Sequence, residues 1–404
     1  MMPLTCTRSR IILEKPHSES VTLKLFPILI IALILIAPFT ANADDNAVKV
    51  IHFINGAQGD ESFLDSAARG IAEAEEDFGI EATTIEAGYN TSSWGEQLEE
   101  AAAREDYDVL ITGSALMRDL LAEMAREHPD KRFIIYDSSV DYSEGGYENV
   151  YSVLYRQNEG AYLAGVYAGL MTESGTIGIL GGQNSTTIND FVVGYRQGAE
   201  SVRPEVVVQV RYAETWNDPA RGEALATEMY DDGADIVFQV AGMTGLGVFK
   251  AAQSSGNRAI GVDSDEALII QKTDPEQAER ILTSMMKNVD ASLYRALGLY
   301  VEGELPFGTA ETLGVREGGV GLARNRYYEE ATPEEVKAAI NRAEEDMREG
   351  RTTVETAFGG EYVRLSCGEP ARCSTNLVLA RADPPLHLEL QKLLYRGHPD
   401  PPTG

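Results

Sequence analysis

The sequence predicts an α/β protein with two lobes in tandem, each built on a parallel sheet. Three observations carry this expectation. Residues 234–265 read as strand, glycine-rich turn, helix and strand, a βαβ unit of the kind that builds parallel sheets. By residue 137 the chain has already alternated four strands with three helices. From residue 176 the alternation starts again, repeating the architecture but not the sequence.

The elements follow in order. Residues 48–54 (VKVIHFI) form a strand that runs into Asn55 and the turn Gly59-Asp60-Glu61-Ser62-Phe63. A helix over 64–78 places Ala68, Ile71, Ala72 and Glu75 at helical spacing and stops at Gly79. Strands at 82–86, 109–112 and 132–136 alternate with helices at 94–105 and 117–128, and strand ends offer Gly113-Ser114 and Asp137. A strand at 150–154 leads to a helix over 159–171, whose small residues permit close packing. The second series runs strand 176–180, helix 188–202, strand 206–212 and helix 219–231 before the βαβ unit. In that unit Gly242 ends the first strand and Asp263 the second. A short helix near 275–279, a strand at 280–285 reaching Lys287, a helix over 290–301 and a strand over 315–322 come next. A charged helix over 333–349 is expected to take Thr332 as its N-cap, with Glu335 completing a capping box. The expected lobes are 48–152 with 264–308, and 153–263 with 309–358. Residues 360–404 read as a weakly ordered tail with a short amphipathic helix over 386–395.

Composition narrows the setting. Apolar residues make up 43% and charged residues 24%, which suits a globular body. A formal net charge of −30 argues against binding nucleic acid or anionic lipid through that body. Arg8, Arg10, Lys15 and Lys24 precede an apolar run shorter than the ~20 residues a membrane span requires. Ala41-Asn42-Ala43 follows with small residues, so residues 1–43 read as a secretory signal peptide. No cysteine follows that site to carry a lipid. Cys367 and Cys373 could form a disulfide in an oxidising compartment.

Catalytic motifs are absent from the sequence: no G-x-S-x-G, no P-loop, no H-E-x-x-H and no metal-ligand spacing of histidines. The strand ends suit binding instead, because ligands of open parallel sheets sit beyond the carboxyl ends of the strands. Phe63 and Trp216, one per lobe, could sandwich a planar ring. The plainer readings are a core residue for Phe63 and a loop anchor for Trp216, since Asn217-Asp218-Pro219 already explains a turn and helix start. Asp137 and Asp263 could accept hydrogen bonds from a vicinal diol, or could cap a helix or join an ion pair. Lys287 could reach the same ligand or be a surface lysine.

Six motifs in one order resemble a known family. They are Gly59-Asp60-Glu61-Ser62-Phe63, EGAYLAG at 159–165, GILGG at 178–182, AGMTGLG at 241–247, GVDSD at 261–265 and LTSMMK at 282–287. The chain resembles the basic membrane protein family of ABC-transporter substrate-binding lipoproteins, of the purine nucleoside receptor type, over residues 48–358. The resemblance implies a type I periplasmic binding protein fold, in which two Rossmann-like lobes joined by three crossovers close on a nucleoside. It also implies site roles. Phe63 and Trp216 stack on the base, although Trp216 stands where a phenylalanine is usual. Asp263 and Lys287 hold the ribose, and Asp60, Asp137 and Gly242 line the site. Asn55 falls near the position of an aspartate that reads the purine edge. The expected protein is a monomeric periplasmic solute-binding protein that needs no cofactor, breaks no bond and docks on ABC permease subunits. A ligand-sensing receptor of the same fold and a nucleoside-cleaving enzyme stay open as alternatives.

Overall fold

The computed structural model describes residues 47–359. The expected signal peptide at 1–43, the tail at 360–404 and the Cys367–Cys373 pair lie outside the described residues.

The first lobe begins with β1 (Lys49–Ile54), α1 (Phe63–Phe78), β2 (Glu81–Glu86), α2 (Trp94–Ala102), β3 (Val109–Gly113), α3 (Arg118–Glu127), β4 (Arg132–Tyr136) and β5 (Val150–Tyr155). The chain then crosses to α4 (Gln157–Met171), β6 (Thr176–Gly181), α5 (Thr186–Val202), β7 (Val207–Tyr212), α6 (Pro219–Asp231), β8 (Ile236–Val240), α7 (Leu246–Ser255) and β9 (Arg258–Asp263). There follow α8 (Glu266–Ile270), α9 (Pro275–Ala278), β10 (Ile281–Lys287), α10 (Val289–Glu302), β11 (Thr309–Leu313), β12 (Val320–Leu322), α11 (Arg326–Ala331) and α12 (Glu334–Arg348).

Two six-stranded sheets result, ordered β11-β5-β4-β3-β1-β2 and β12-β10-β9-β8-β6-β7. The two orders match strand for strand, which is the repeat the sequence suggested. All pairings are parallel except β10 with β12. The inner strands are buried along their length while β2 at an edge is largely exposed, as expected where helices cover both faces of the sheet. In each sheet the strand order reverses between the first and third strands, β1/β3 and β6/β8, and that reversal opens a crevice at the carboxyl ends.

The lobe boundaries differ from those expected. Ile281–Lys287 pairs with β9 in the second sheet, so residues 264–287 stay with the second lobe. Thr309–Leu313 pairs with β5 and forms the edge of the first sheet. Only α10 and β11 return to the first lobe, where α10 packs on α1. The chain therefore crosses three times, after β5, after β10 and after β11. The stretch expected as one strand over 315–322 is a turn through Gly318 (φ 73°) followed by the short β12.

The small residues of α4 act as anticipated. A Cβ on Gly165 would fall 2.0 Å from the Tyr195 carbonyl oxygen, and one on Gly198 2.0 Å from that of Tyr162. Backbone thus meets backbone between α4 and α5. Thr332 does not cap α12. Its hydroxyl is buried and bonded to Tyr167 Oη at 2.9 Å, and Pro333 occupies the cap position with no side-chain bond.

Candidate functional site

A cavity of about 330 Å³ lies at the carboxyl ends of the strands, within the roughly 300–1,000 Å³ range of small-molecule pockets. Its wall includes Asn55, Asp60, Phe63, Asp137, Trp216, Gly242, Asp263 and Lys287, so all eight residues expected at a site are brought together. The first four belong to the first lobe and the last four to the second. A larger cavity, about 610 Å³, lies at the crossovers and shares Asp137 alone with the first. Its wall carries Arg156, Glu159, Asp190 and Arg316, and neither Phe63 nor Trp216 reaches it.

Local backbone explains how these side chains are presented. Asp60 lines the cavity, but its carboxylate accepts the backbone N–H groups of Ser62 (3.1 Å), Leu64 (2.8 Å) and Asp65 (3.0 Å) at the start of α1. Asp65 returns the favour to Gly59 (2.8 Å) and Glu61 (2.9 Å). Asp60 satisfies orphan donors at the helix N-terminus while Asp65 fixes the loop before it, and together they set the position of Phe63. Burial still outweighs those bonds and pushes the Asp60 carboxyl up to about 6. Behind Phe63 stands Tyr136, ring centroids 5.3 Å apart, and behind Tyr136 the fully buried His52, whose Nε2 lies 3.3 Å from the phenol oxygen.

Trp216 is held from the other lobe. Its ring lies on Gly182, where a Cβ would come 2.3 Å from Cζ3. Its carbonyl accepts Thr244 N–H at 3.1 Å, and Asp218 caps α6 through Arg221 N–H at 3.0 Å, as the Asn-Asp-Pro run implied. The indole Nε1 is buried without a partner among the described residues.

A buried charged cluster lines the same cavity. Lys287 Nζ is 2.9 Å from Asp137 and 3.9 Å from Asp263, with all three side chains at most 10% exposed. The ammonium also lies 5.1 Å from the ring centres of Phe63 and Phe191. Burial pulls the Lys287 ammonium down, and the carboxylates of Asp137, Asp263 and Asp190 more than reverse this, so its proton is held more tightly than usual. Asp263 is shifted up by burial, against the pull of Lys287 and of Ser62. Ser62 Oγ lies 2.9 Å from Asp263 Oδ2, and Ser264 Oγ donates to the Ser62 carbonyl at 3.0 Å. With the Lys287–Asp137 bond, these contacts tie the two lobes together beside the cavity.

Backbone strain gathers at the same place. Ser114, Asp137, Glu214 and Asp263 all line the cavity with φ between 57° and 76°, left-handed values that cost a non-glycine residue roughly 1 kcal/mol each. Gly242 has φ 55°, which its missing Cβ permits at the end of β8. Asn55 donates from Nδ2 to Ser114 Oγ at 3.1 Å across the β1/β3 crevice. Ser114, offered at the end of its strand, also lines the wall, as do Tyr89, Phe191 and Glu214, which were not expected there. Tyr89 and Ser114 follow strands closely, a usable signal. Phe191 lies inside α5 and looks like any core aromatic. Among the described residues no group of three or more His, Cys, Asp or Glu side chains is arranged to hold a metal ion, and no helix is long and apolar enough to cross a membrane.

The profile of the Bmp family, described as ABC transporter substrate-binding protein PnrA-like, matches residues 47–347. The ABC transporter nucleoside-binding protein BmpA of Lactococcus lactis is 34% identical over 63% of this chain and 73% of its own. Basic membrane protein A of Borreliella burgdorferi is 31% identical over 69% and 79%. An ABC-transporter solute-binding protein of Aeropyrum pernix superposes with TM-score 0.68 at 23% identity, over 76% of this chain and 93% of that one. The myo-inositol binding protein of Caulobacter superposes at 0.53 and 16%, over 72% and 97%. The two-lobed parallel α/β architecture is thus that of solute-binding proteins, and the chain belongs to the Bmp family of PnrA-like ABC-transporter substrate-binding proteins.

Proposed function

We propose that this protein captures a purine nucleoside between its lobes in the periplasm and delivers it, as a monomer, to the permease subunits of an ABC importer. The observation that carries this reading is a pair of aromatic faces, Phe63 and Trp216, donated by opposite lobes to one cavity that also holds a buried Lys287 with two aspartates. Offset stacking on both faces of a planar base is worth about 0.5–1.5 kcal/mol per ring beyond the area buried. Asp263 accepts the sugar hydroxyls while Lys287 donates to their oxygens, so a ribose replaces water at charges that are otherwise poorly solvated. Asn55 and Ser114 face the edge of the base from the first lobe. The Lactococcus relative, named as nucleoside-binding, points the same way.

No bond is broken in this account. A ligand that touches both lobes favours the closed form through its differential affinity for it. The test is a thermal-shift screen of nucleosides, free bases and sugars on residues 44–404, with chromatography of the recovered ligand. Purine nucleosides should stabilise the protein and be recovered intact. Stabilisation by sugars alone, or recovery of free base, would overturn the reading.

A further inference from the structure

Glu266 lies outside the cavity wall, yet its bonds run to two of the strand ends that build the wall. It opens α8 and is fully buried. Its Oε2 accepts Val262 N–H at 2.7 Å and Gln239 Nε2–H at 2.7 Å. Gln239 in turn accepts Ala241 N–H through Oε1 at 3.1 Å. The Glu266 N–H donates to Ser284 Oγ of β10 at 3.2 Å. One carboxyl group therefore ties the ends of β8 and β9, and its backbone ties β10. Those ends present Gly242, Asp263 and Lys287 to the cavity.

The surroundings are shaped for this link. A Cβ on Gly261 would fall 2.5 Å from Glu266 Oε2 and 2.4 Å from Ser284 Oγ, and one on Gly245 would fall 1.8 Å from Gln239 Oε1. Val262 and Ala241 each precede a residue with left-handed backbone, Asp263 (φ 62°) and Gly242 (φ 55°). A residue at such an angle persists only where its neighbours are held. Oε1 of Glu266 has no partner among the described residues, and burial, with the nearby Asp263 and Asp60 charges, pushes the acid well above the usual carboxylate range.

We infer that Glu266 is the positioning residue for the β8 and β9 ends of the ligand site, its carboxyl acting through Gln239 and Val262 to aim Asp263 at the sugar. This rests on the nucleoside reading above. The test is calorimetry of wild type, Glu266→Gln and Glu266→Ala with inosine and with 2′,3′-dideoxyinosine, which lacks the diol. Glu266→Gln keeps the oxygen acceptor and should bind inosine within about threefold of wild type. Glu266→Ala should lose about tenfold or more for inosine, with little change for the dideoxy analogue, so that the ratio of the two affinities collapses. A merely destabilising change would weaken both ligands alike. If Glu266→Ala does not fold, Gln239→Leu cuts the β8 arm of the link, leaves the Val262 bond, and should lower the same ratio by a smaller factor. An unchanged ratio in the variant, or Glu266→Gln as weak as Ala, would overturn the inference while leaving nucleoside binding intact. Wild type that binds neither compound would overturn the nucleoside reading and this inference with it.

Discussion

His52 shows how a single side chain can shape the site without touching it. It is fully buried with Nδ1 unpaired among the described residues, and burial lowers its pKa to about 3. The unfolded chain therefore takes up this proton as pH falls below about 6.5, while the folded protein does not, so stability is lost on the acid side by up to ~1.4 kcal/mol per pH unit. Asp60, pushed up to about 6, acts in the opposite sense, since the folded state protonates first. A comparison of variants isolates His52. Between pH 7 and pH 5, chemical denaturation should show wild type losing about 2 kcal/mol more than His52→Asn. Equal losses would mean that the imidazole is not buried neutral. At this scale the sequence was legible where a residue ends a strand: Asn55, Asp137, Gly242, Asp263 and Lys287 all reach the cavity. Asp60 was expected for its ligand, but much of its hydrogen-bonding capacity goes to the N-terminus of α1. Phe191 carried no signal, because nothing in a helical apolar pattern says which core aromatic faces a crevice.

Among the elements, α4 and α5 make the clearest statement. Their contact depends on glycines facing carbonyl oxygens, so Gly165→Ala forces a methyl group into the space of the Tyr195 carbonyl. Overpacking of this kind costs about 1–3 kcal/mol. A lowered denaturation midpoint with unchanged slope should follow, and an unchanged midpoint would show that the helices can separate freely. The βα alternation was readable because most of its strands are short β-branched runs bounded by glycine or turn residues and most of its helices are long enough to show a period. Polar edge strands and very short helices escaped. TAETL at β11 is a polar edge strand recognisable only by its pairing with β5. Helices α8 and α11 span five and six residues, too few for a period to show. The assignment of β10 to a lobe is a matter of long-range pairing, which no local pattern records.

For the molecule as a whole, the bonds across the cleft decide behaviour. Lys287 to Asp137 and Ser62 to Asp263 and Ser264 join the lobes beside the cavity, and a ligand that adds contacts to both lobes biases the molecule further toward the closed state. Small-angle scattering should therefore report a smaller radius of gyration when a purine nucleoside is added at saturation. At a hundred times the dissociation constant, the ligand should also add about 2.7 kcal/mol to stability. An unchanged radius would place the protein in the closed form before the ligand arrives. The central claim is that two aromatic rings from opposite lobes hold the base. Isothermal titration of wild type and Trp216→Ala with inosine and guanosine tests it most directly. Wild type should show saturable one-to-one binding, and the variant about tenfold or greater weakening. Equal affinity in the two proteins, or no binding of any nucleoside by wild type, would contradict it.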